Sequence, residues 1–173
     1  MEQTGNLILI GMPTSGKSTA GVILAKILGM DFVDTDLLIQ KQCGKTLPNI
    51  LAQDGLDAFL AAEEAACLSI PSSASNLVIA TGGSVVYSER AMQYFQTLGK
   101  IIYLKIDPKT LQHRLHNAKQ RGVVLRDGQT IEDLYAERIP LYEKYADLTV
   151  EETGLDMEET VQEILKLLEN PEI

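Results

Sequence analysis

Near its start the chain reads Leu7-Ile8-Leu9-Ile10-Gly11-Met12-Pro13-Thr14-Ser15-Gly16-Lys17-Ser18-Thr19. Four consecutive apolar residues ended by glycine read as a short buried strand. The next eight, Gly11 to Ser18, fit G-x-x-x-x-G-K-[ST]. Val22, Ile23, Leu24, Ile27 and Leu28 then recur at helical spacing, and Gly29 stands where a helix C-cap takes a left-handed residue. Strand, glycine turn and helix in this order make an anion cradle. The glycines let backbone N–H groups turn inward around phosphates, and the helix points its positive end at the same place. Lys17 adds a point charge for the β- and γ-phosphates, and Ser18 offers a hydroxyl to Mg²⁺. The turn therefore predicts binding of ATP and Mg²⁺ through Gly11, Thr14, Ser15, Gly16, Lys17, Ser18 and Thr19.

Outward from this turn, strands and helices alternate. Asp31 to Asp34 reads as a second strand. A helical region follows over about 37–69, with a break near Gly44 and an alanine-rich second part from Asp57 to Ser69. Leu77 to Ala80 is a third strand running into Gly82-Gly83, and Glu89 to Leu98 is a helix. Ile101 to Lys105 is a fourth strand. Asp107-Pro108 then opens a helix running to about Lys119, with Asp as cap and Pro in the first turn. Residues 120–129 have little periodicity and predict a mobile loop. Thr130 to Tyr142 is helical, with Thr130 and Asp133 at capping-box spacing. Leu148 to Val150 is a last strand, and Met157 to Leu168 a closing helix capped by Asp156. This is the α/β pattern of a parallel sheet covered on both faces. With 173 residues and no linker-like segment, it predicts one domain over 1–173.

A net charge of −9 argues against a nucleic-acid binder, which needs a basic surface to displace counterions. No apolar run approaches membrane-spanning length, and no secretory leader opens the chain. The only two cysteines, Cys43 and Cys67, allow one disulfide or two reduced thiols, and the reading adopted is thiols in a cytoplasmic protein.

Asp34-Thr35-Asp36 closes the second strand at the sheet's ligand edge. Asp34 there suits Mg²⁺ through water, and Asp36 suits a hydrogen bond from an attacking hydroxyl. The competing reading makes Asp36 a helix cap. Thr81-Gly82-Gly83-Ser84 lets backbone approach a ligand closely, or is an ordinary strand-end turn. Arg114, Arg121, Arg126 and Arg138 fall in or beside the aperiodic loop, as cations that close over a transferring phosphoryl do. Solvated surface arginines are the other reading. His113 and His116 have no completing metal-ligand pattern.

Taken together, these elements resemble the shikimate kinase family, within the nucleoside-monophosphate-kinase-like group. The resemblance covers nearly the whole chain. It rests on Gly11 to Ser18, Asp34-Thr-Asp36, Gly55-x-x-x-Phe59-x-x-x-Glu63, Thr81-Gly82-Gly83, Arg121, and Arg138-x-Pro140-Leu141-Tyr142 before Ala146-Asp147. It implies a P-loop fold with a five-stranded parallel sheet and a mobile lid, and ATP with Mg²⁺. It also implies phosphoryl transfer to the 3-hydroxyl of shikimate, in a monomer or a dimer. Catalysis would fall to Lys17, Asp36 and Arg121. The nucleotide would add Arg114 and Arg121 to the residues of the turn. The acceptor pocket would comprise Asp36, position 60, Gly82, Gly83, position 84 and Arg138, with Ser18 and Asp34 at the metal.

The chain departs from the family pattern in three places. Phe-Arg-x-x-Glu becomes Phe59-Leu60-Ala61-Ala62-Glu63, the third glycine of the G-G-G turn is Ser84, and the lid's Arg-Pro-Leu-Leu is Arg121-Gly-Val-Val. The first two fall in the expected acceptor pocket. They keep open a kinase of another small polyol or hydroxy acid, while a nucleotide-binding regulatory protein without transfer is the rival from another class.

Overall fold

The computed structural model describes residues 5–116 and 125–170. Its elements are β1 (Asn6–Ile10), α1 (Lys17–Leu28), β2 (Asp31–Asp34), α2 (Thr35–Cys43), α3 (Leu47–Leu68) and β3 (Leu77–Ala80). A 3₁₀ turn (Val85–Tyr87) leads to α4 (Glu89–Leu98), β4 (Gly99–Lys105), α5 (Pro108–His116), α6 (Ile131–Tyr145), β5 (Leu148–Glu151) and α7 (Met157–Glu169). The five strands pair in parallel in the order β2-β3-β1-β4-β5.

β1 is buried along its whole length because a strand flanks it on each side and helices cover both faces. Its side chains alternate between the faces, as the two-residue strand period requires. Ile8 and Ile10 join Ile79, Ile101 and Tyr103 against Phe95, Leu134 and Tyr142 on one face. Leu7 and Leu9 join Val78, Ile102 and Val150 against Leu24, Val161 and Ile164 on the other. The apolar alternation thus fixes which way every strand faces, and with it the edge where the loops gather.

β3 lies between β1 and β2, so the turn after β3 emerges beside the turn after β1. Thr81 fastens the two, its N–H and hydroxyl both donating to the Leu9 carbonyl at 3.2 and 2.9 Å. This is the C-terminal edge of a parallel sheet, where ligands of such folds bind.

The helical region between β2 and β3 breaks near Gly44, as its sequence predicts, but begins at Thr35, two residues before the expected start. α2 stops at Cys43, with Gly44 as a left-handed cap at φ 63°, and α3 starts anew at Leu47 with Pro48 in its first turn. α3 is itself kinked where Gly55 takes φ 86° and ψ 175°. The kink lets Ile50 and Phe59 both face Ile39 in a small third core. The predicted capping box forms at Thr130/Asp133, and the predicted cap Asp156 forms a second box with Glu159. Cys43 is exposed and Cys67 buried, both as free thiols. Among the described residues no helix is long and apolar enough to cross a membrane. The first half of the expected lid at 120–129, including Arg121, lies outside the described residues. Arg126, at its far end, reaches Glu137 at 3.4 Å and lies over the Tyr87 ring.

Candidate active site

The turn between β1 and α1 closes on itself. Gly11 sits so close to β4 that a Cβ there would come within 2.6 Å of the Leu104 carbonyl, and its φ is 151°. Gly16 and Thr14 both take positive φ, 84° and 67°. A threonine in that region is unusual and costs energy, a feature that gathers at binding sites. Lys17 folds back along the turn, its ammonium donating to the carbonyls of Gly11 and Met12 at 2.9 and 2.8 Å. Burial lowers its pKa to about 8, against the pull of Asp36 and Glu152, which favour the charge. Ser15 is buried within the turn, while Ser18 and Thr19 are exposed at its rim. Arg114, from α5, donates to the Thr14 carbonyl at 3.0 Å, so it steadies the turn from outside.

Asp34 and Asp36 do not project together from a strand end. Asp34 ends β2 and caps α2, its Oδ1 accepting from the Asp36 N–H at 2.9 Å, while its Oδ2 accepts from the Ser18 hydroxyl at 2.7 Å. The cap considered for Asp36 therefore belongs to Asp34, because β2 keeps extended φ/ψ through that residue. Asp36 is freed to sit in the first turn of α2, half-buried, with its pKa raised to about 6 by burial and then by Asp34.

The glycine turn after β3 approaches both walls. A Cβ on Gly82 would lie 3.0 Å from Asp36 Oδ1 and would run into Glu63 Oε1. One on Gly83 would come within 2.8 Å of Pro13 and 3.1 Å of Arg138 Nη1. Glu63, from α3, is 2% exposed, and burial raises its pKa to about 7. Its Oε2 accepts from the Ser84 hydroxyl at 2.5 Å, and its Oε1 has no hydrogen-bond partner among the described residues. Arg138, from α6, is 1% exposed. Its Nε donates to the Tyr87 hydroxyl at 3.1 Å, and its guanidinium carbon stands 5.0 Å from that ring's centre.

These groups share one cleft of about 170 Å³, bordered at one end by Thr14, Lys17 and Ser18 and at the other by Asp36, Glu63, Gly82, Ser84 and Arg138. Leu60 is not on its lining. It packs toward the third core and borders a side cavity of about 250 Å³, together with Glu63, Ser84 and Tyr87. Three residues of this region were not singled out as site residues from the sequence. Glu63 had a usable signal, an acid within an alanine-rich helix. Tyr87 had none. Glu152 reads as one of a surface pair with Glu151, yet it is 4% exposed, burial raises its pKa to about 7, and Arg114 and Lys17 act against that rise. His113 is exposed, and no cluster of three metal-ligating side chains occurs among the described residues.

This fold and this cleft are those of the P-loop phosphotransferases, which move a phosphoryl group from a nucleotide to a small acceptor. The shikimate kinase family profile matches residues 13–169. A shikimate kinase of Chlorobium chlorochromatii is 37% identical, over 98% of this chain and 94% of its own. Among solved structures, the shikimate kinase of Acinetobacter baumannii in complex with shikimate superposes with a TM-score of 0.89 at 29% identity, over 99% of this chain and 97% of that one. The shikimate kinase of Aquifex aeolicus vf5 gives a TM-score of 0.83 at 32% identity, over 96% and 97% of the two chains. The chain belongs to the shikimate kinase family. Membership makes it an ATP-dependent phosphotransferase with a hydroxyl group as acceptor, and it sets aside the reading as a regulatory protein without transfer.

Proposed function

We propose that this enzyme transfers the γ-phosphoryl group of ATP to the 3-hydroxyl of shikimate. The observation that carries the reading is the single cleft joining Lys17 to Asp36 and Arg138. Phosphoryl transfer asks the protein for positioning and charge stabilisation more than for covalent chemistry. Lys17, the backbone of the Gly11–Ser18 turn and the N-terminus of α1 would hold the phosphates. Asp36, with its raised pKa, would orient the acceptor hydroxyl and take its proton as the bond to phosphorus forms. Gly82 and Gly83 would let the acceptor lie against backbone, and Arg138 would hold its carboxylate by charge-assisted hydrogen bonds. Arg114 would act on the nucleotide side, and Arg121 is proposed for the phosphates on the family resemblance.

Mg²⁺ fits the oxygens present. Ser18 Oγ and Asp34 Oδ2 are 2.7 Å apart at the mouth of the cleft, and this ion takes few protein ligands, all oxygen, beside water and phosphate. Its charge would screen the phosphate oxygens. We propose one domain over 1–173, with the lid over 120–129 closing on the cleft, and a cytoplasmic enzyme.

ADP release that depends on added shikimate, with the product identified as the 3-phosphate, tests the reading. Shikimate-independent ADP release, or efficient turnover of another polyol while shikimate is ignored, would overturn it.

A further inference from the structure

Two features from distant parts of the chain meet on Glu63. Leu60 and Glu63 are three apart on α3, hence neighbours on one helix face, and both border the side cavity. Ser84, from the turn after β3, borders that cavity and the main cleft, and its hydroxyl donates to Glu63 Oε2 at 2.5 Å. The other oxygen, Oε1, abuts Gly82 beside Asp36 Oδ1 and has no hydrogen-bond partner among the described residues.

A buried carboxyl must be held by donors, or it protonates and its acceptor capacity changes. Leucine at position 60 has no donor to give. An arginine there would stand one turn from Glu63 and could pair with it across the helix face. The only hydrogen bond that reaches the carboxyl among the described residues comes from Ser84. Its hydroxyl fixes Oε2 and so keeps Oε1 packed against Gly82 beside Asp36 Oδ1, the backbone and carboxylate against which the acceptor is proposed to lie.

We infer that Ser84 is the positioning residue for Glu63, in the place that an arginine at position 60 would fill, so that positions 60 and 84 are coupled through Glu63 and jointly set acceptor affinity. The inference rests on the proposed acceptor reading for its substrate, and on the Glu63–Ser84 geometry for its coupling.

The test is a double-mutant cycle over wild type, Ser84→Gly, Leu60→Arg and the double variant. It is read by KM for shikimate, KM for ATP, kcat and Tm. Glycine at position 84 needs no unusual backbone, since Ser84 has φ −91°. Ser84→Gly alone should raise the shikimate KM about tenfold, the low end of losing a hydrogen bond to a charged group, with the ATP KM unchanged. In the Leu60→Arg background the same change should cost less than about twofold, because a guanidinium then holds the carboxylate. Ser84→Thr, which keeps the hydroxyl, should raise the shikimate KM less than Ser84→Gly does.

Equal costs of Ser84→Gly in both backgrounds would overturn the inference, as would an unchanged shikimate KM in Ser84→Gly. If the Leu60→Arg chains fail to fold, Glu63→Ala takes their place: Ser84→Gly should then add nothing to its effect, and an added loss is the contrary result. If wild type ignores shikimate, the acceptor reading fails alone. The cycle is then read from the acceptor that is turned over and from Tm, which needs no substrate.

Discussion

Asp34 joins two helices, its Oδ2 accepting from the Ser18 hydroxyl at 2.7 Å in the first turn of α1 while its Oδ1 caps α2 at the Asp36 N–H at 2.9 Å. One carboxylate thereby sets the distance between the phosphate turn and the acceptor wall. Asparagine caps a helix about as well as aspartate, so Asp34→Asn should leave Tm nearly unchanged. It removes the negative charge that suits Mg²⁺. The expected outcome is a half-saturating Mg²⁺ concentration raised roughly 10- to 100-fold, as for outer ligands of a metal. Titrating ADP formation against Mg²⁺ measures it, and a wild-type curve would remove Asp34 from the metal site.

Lys17 carries its charge at a cost, since burial lowers its pKa to about 8. Lys17→Ala should lower kcat by at least about 10²–10³-fold, the size of losing one preorganised charge stabiliser. The fold should persist, because the cores lie elsewhere. Steady-state rates with circular dichroism separate the two effects. Near-wild-type turnover would remove Lys17 from phosphoryl transfer.

The expected pH profile follows from Asp36 and Lys17 in their proposed roles. Asp36 must be ionised to take a proton, and its raised pKa of about 6 means that kcat/KM falls as pH drops through about 6. Lys17 must be charged, so kcat/KM for ATP falls as pH rises through about 8. A bell between these values is expected. Asp36→Asn should lose the acid limb and about 10²–10⁴-fold in kcat. An acid limb that survives in Asp36→Asn would assign it to another group.

Local features of this molecule are legible in its sequence and non-local ones are not. The bounds of α1 and α4 follow from periodicity, caps and the flanking glycines, all within a few residues. The insertion of β3 between β1 and β2 depends on which strands pair, and nothing within β3 records it. The phosphate turn is local, so its backbone is predictable from glycine spacing alone. The Glu63–Ser84 bond spans 21 residues and two elements. Only the fold brings Glu63 beside Gly82. The position of Leu60 depends on the phase of α3 after its kink at Gly55, and a one-residue change in that phase would turn it away from the side cavity. The exchange of cap from Asp36 to Asp34 has a similar cause, two residues of strand geometry at a boundary where propensity says little.

Glu63 makes stability depend on pH in a stated direction. Its folded pKa, about 7, lies above the ordinary 4.5. Between those values the native state binds the proton that the unfolded chain releases, so its stabilising share is full below about 4.5 and is lost as pH rises through about 7. Asp36 adds to the rise, while Ser84, Arg138 and Lys17 oppose it. Glu63→Gln removes the titration and keeps an acceptor for the Ser84 hydroxyl. Its Tm relative to wild type should therefore be higher at pH 8 than at pH 5. A Tm difference that is the same at both pH values would mean that Glu63 is not held protonated by burial.

Arg138, proposed to hold the acceptor's carboxylate, donates from its Nε to the Tyr87 hydroxyl at 3.1 Å and lies against the Gly83 backbone. Its planar fork suits a carboxylate as a lysine ammonium does not. Arg138→Lys keeps the charge and loses the fork and its stacking on Tyr87. A hydrogen bond to a charged group is worth roughly 1.5–3 kcal/mol. The shikimate KM should therefore rise by roughly 10- to 150-fold, with the ATP KM near wild type. Packing loss and carboxylate loss separate with an analogue of shikimate that lacks the carboxyl group. If Arg138 holds the carboxylate, Arg138→Lys should barely change the already high KM of that analogue. An equal rise for both acceptors would mean that Arg138 shapes the pocket through Tyr87 and Gly83, and that the acceptor's carboxylate is held elsewhere.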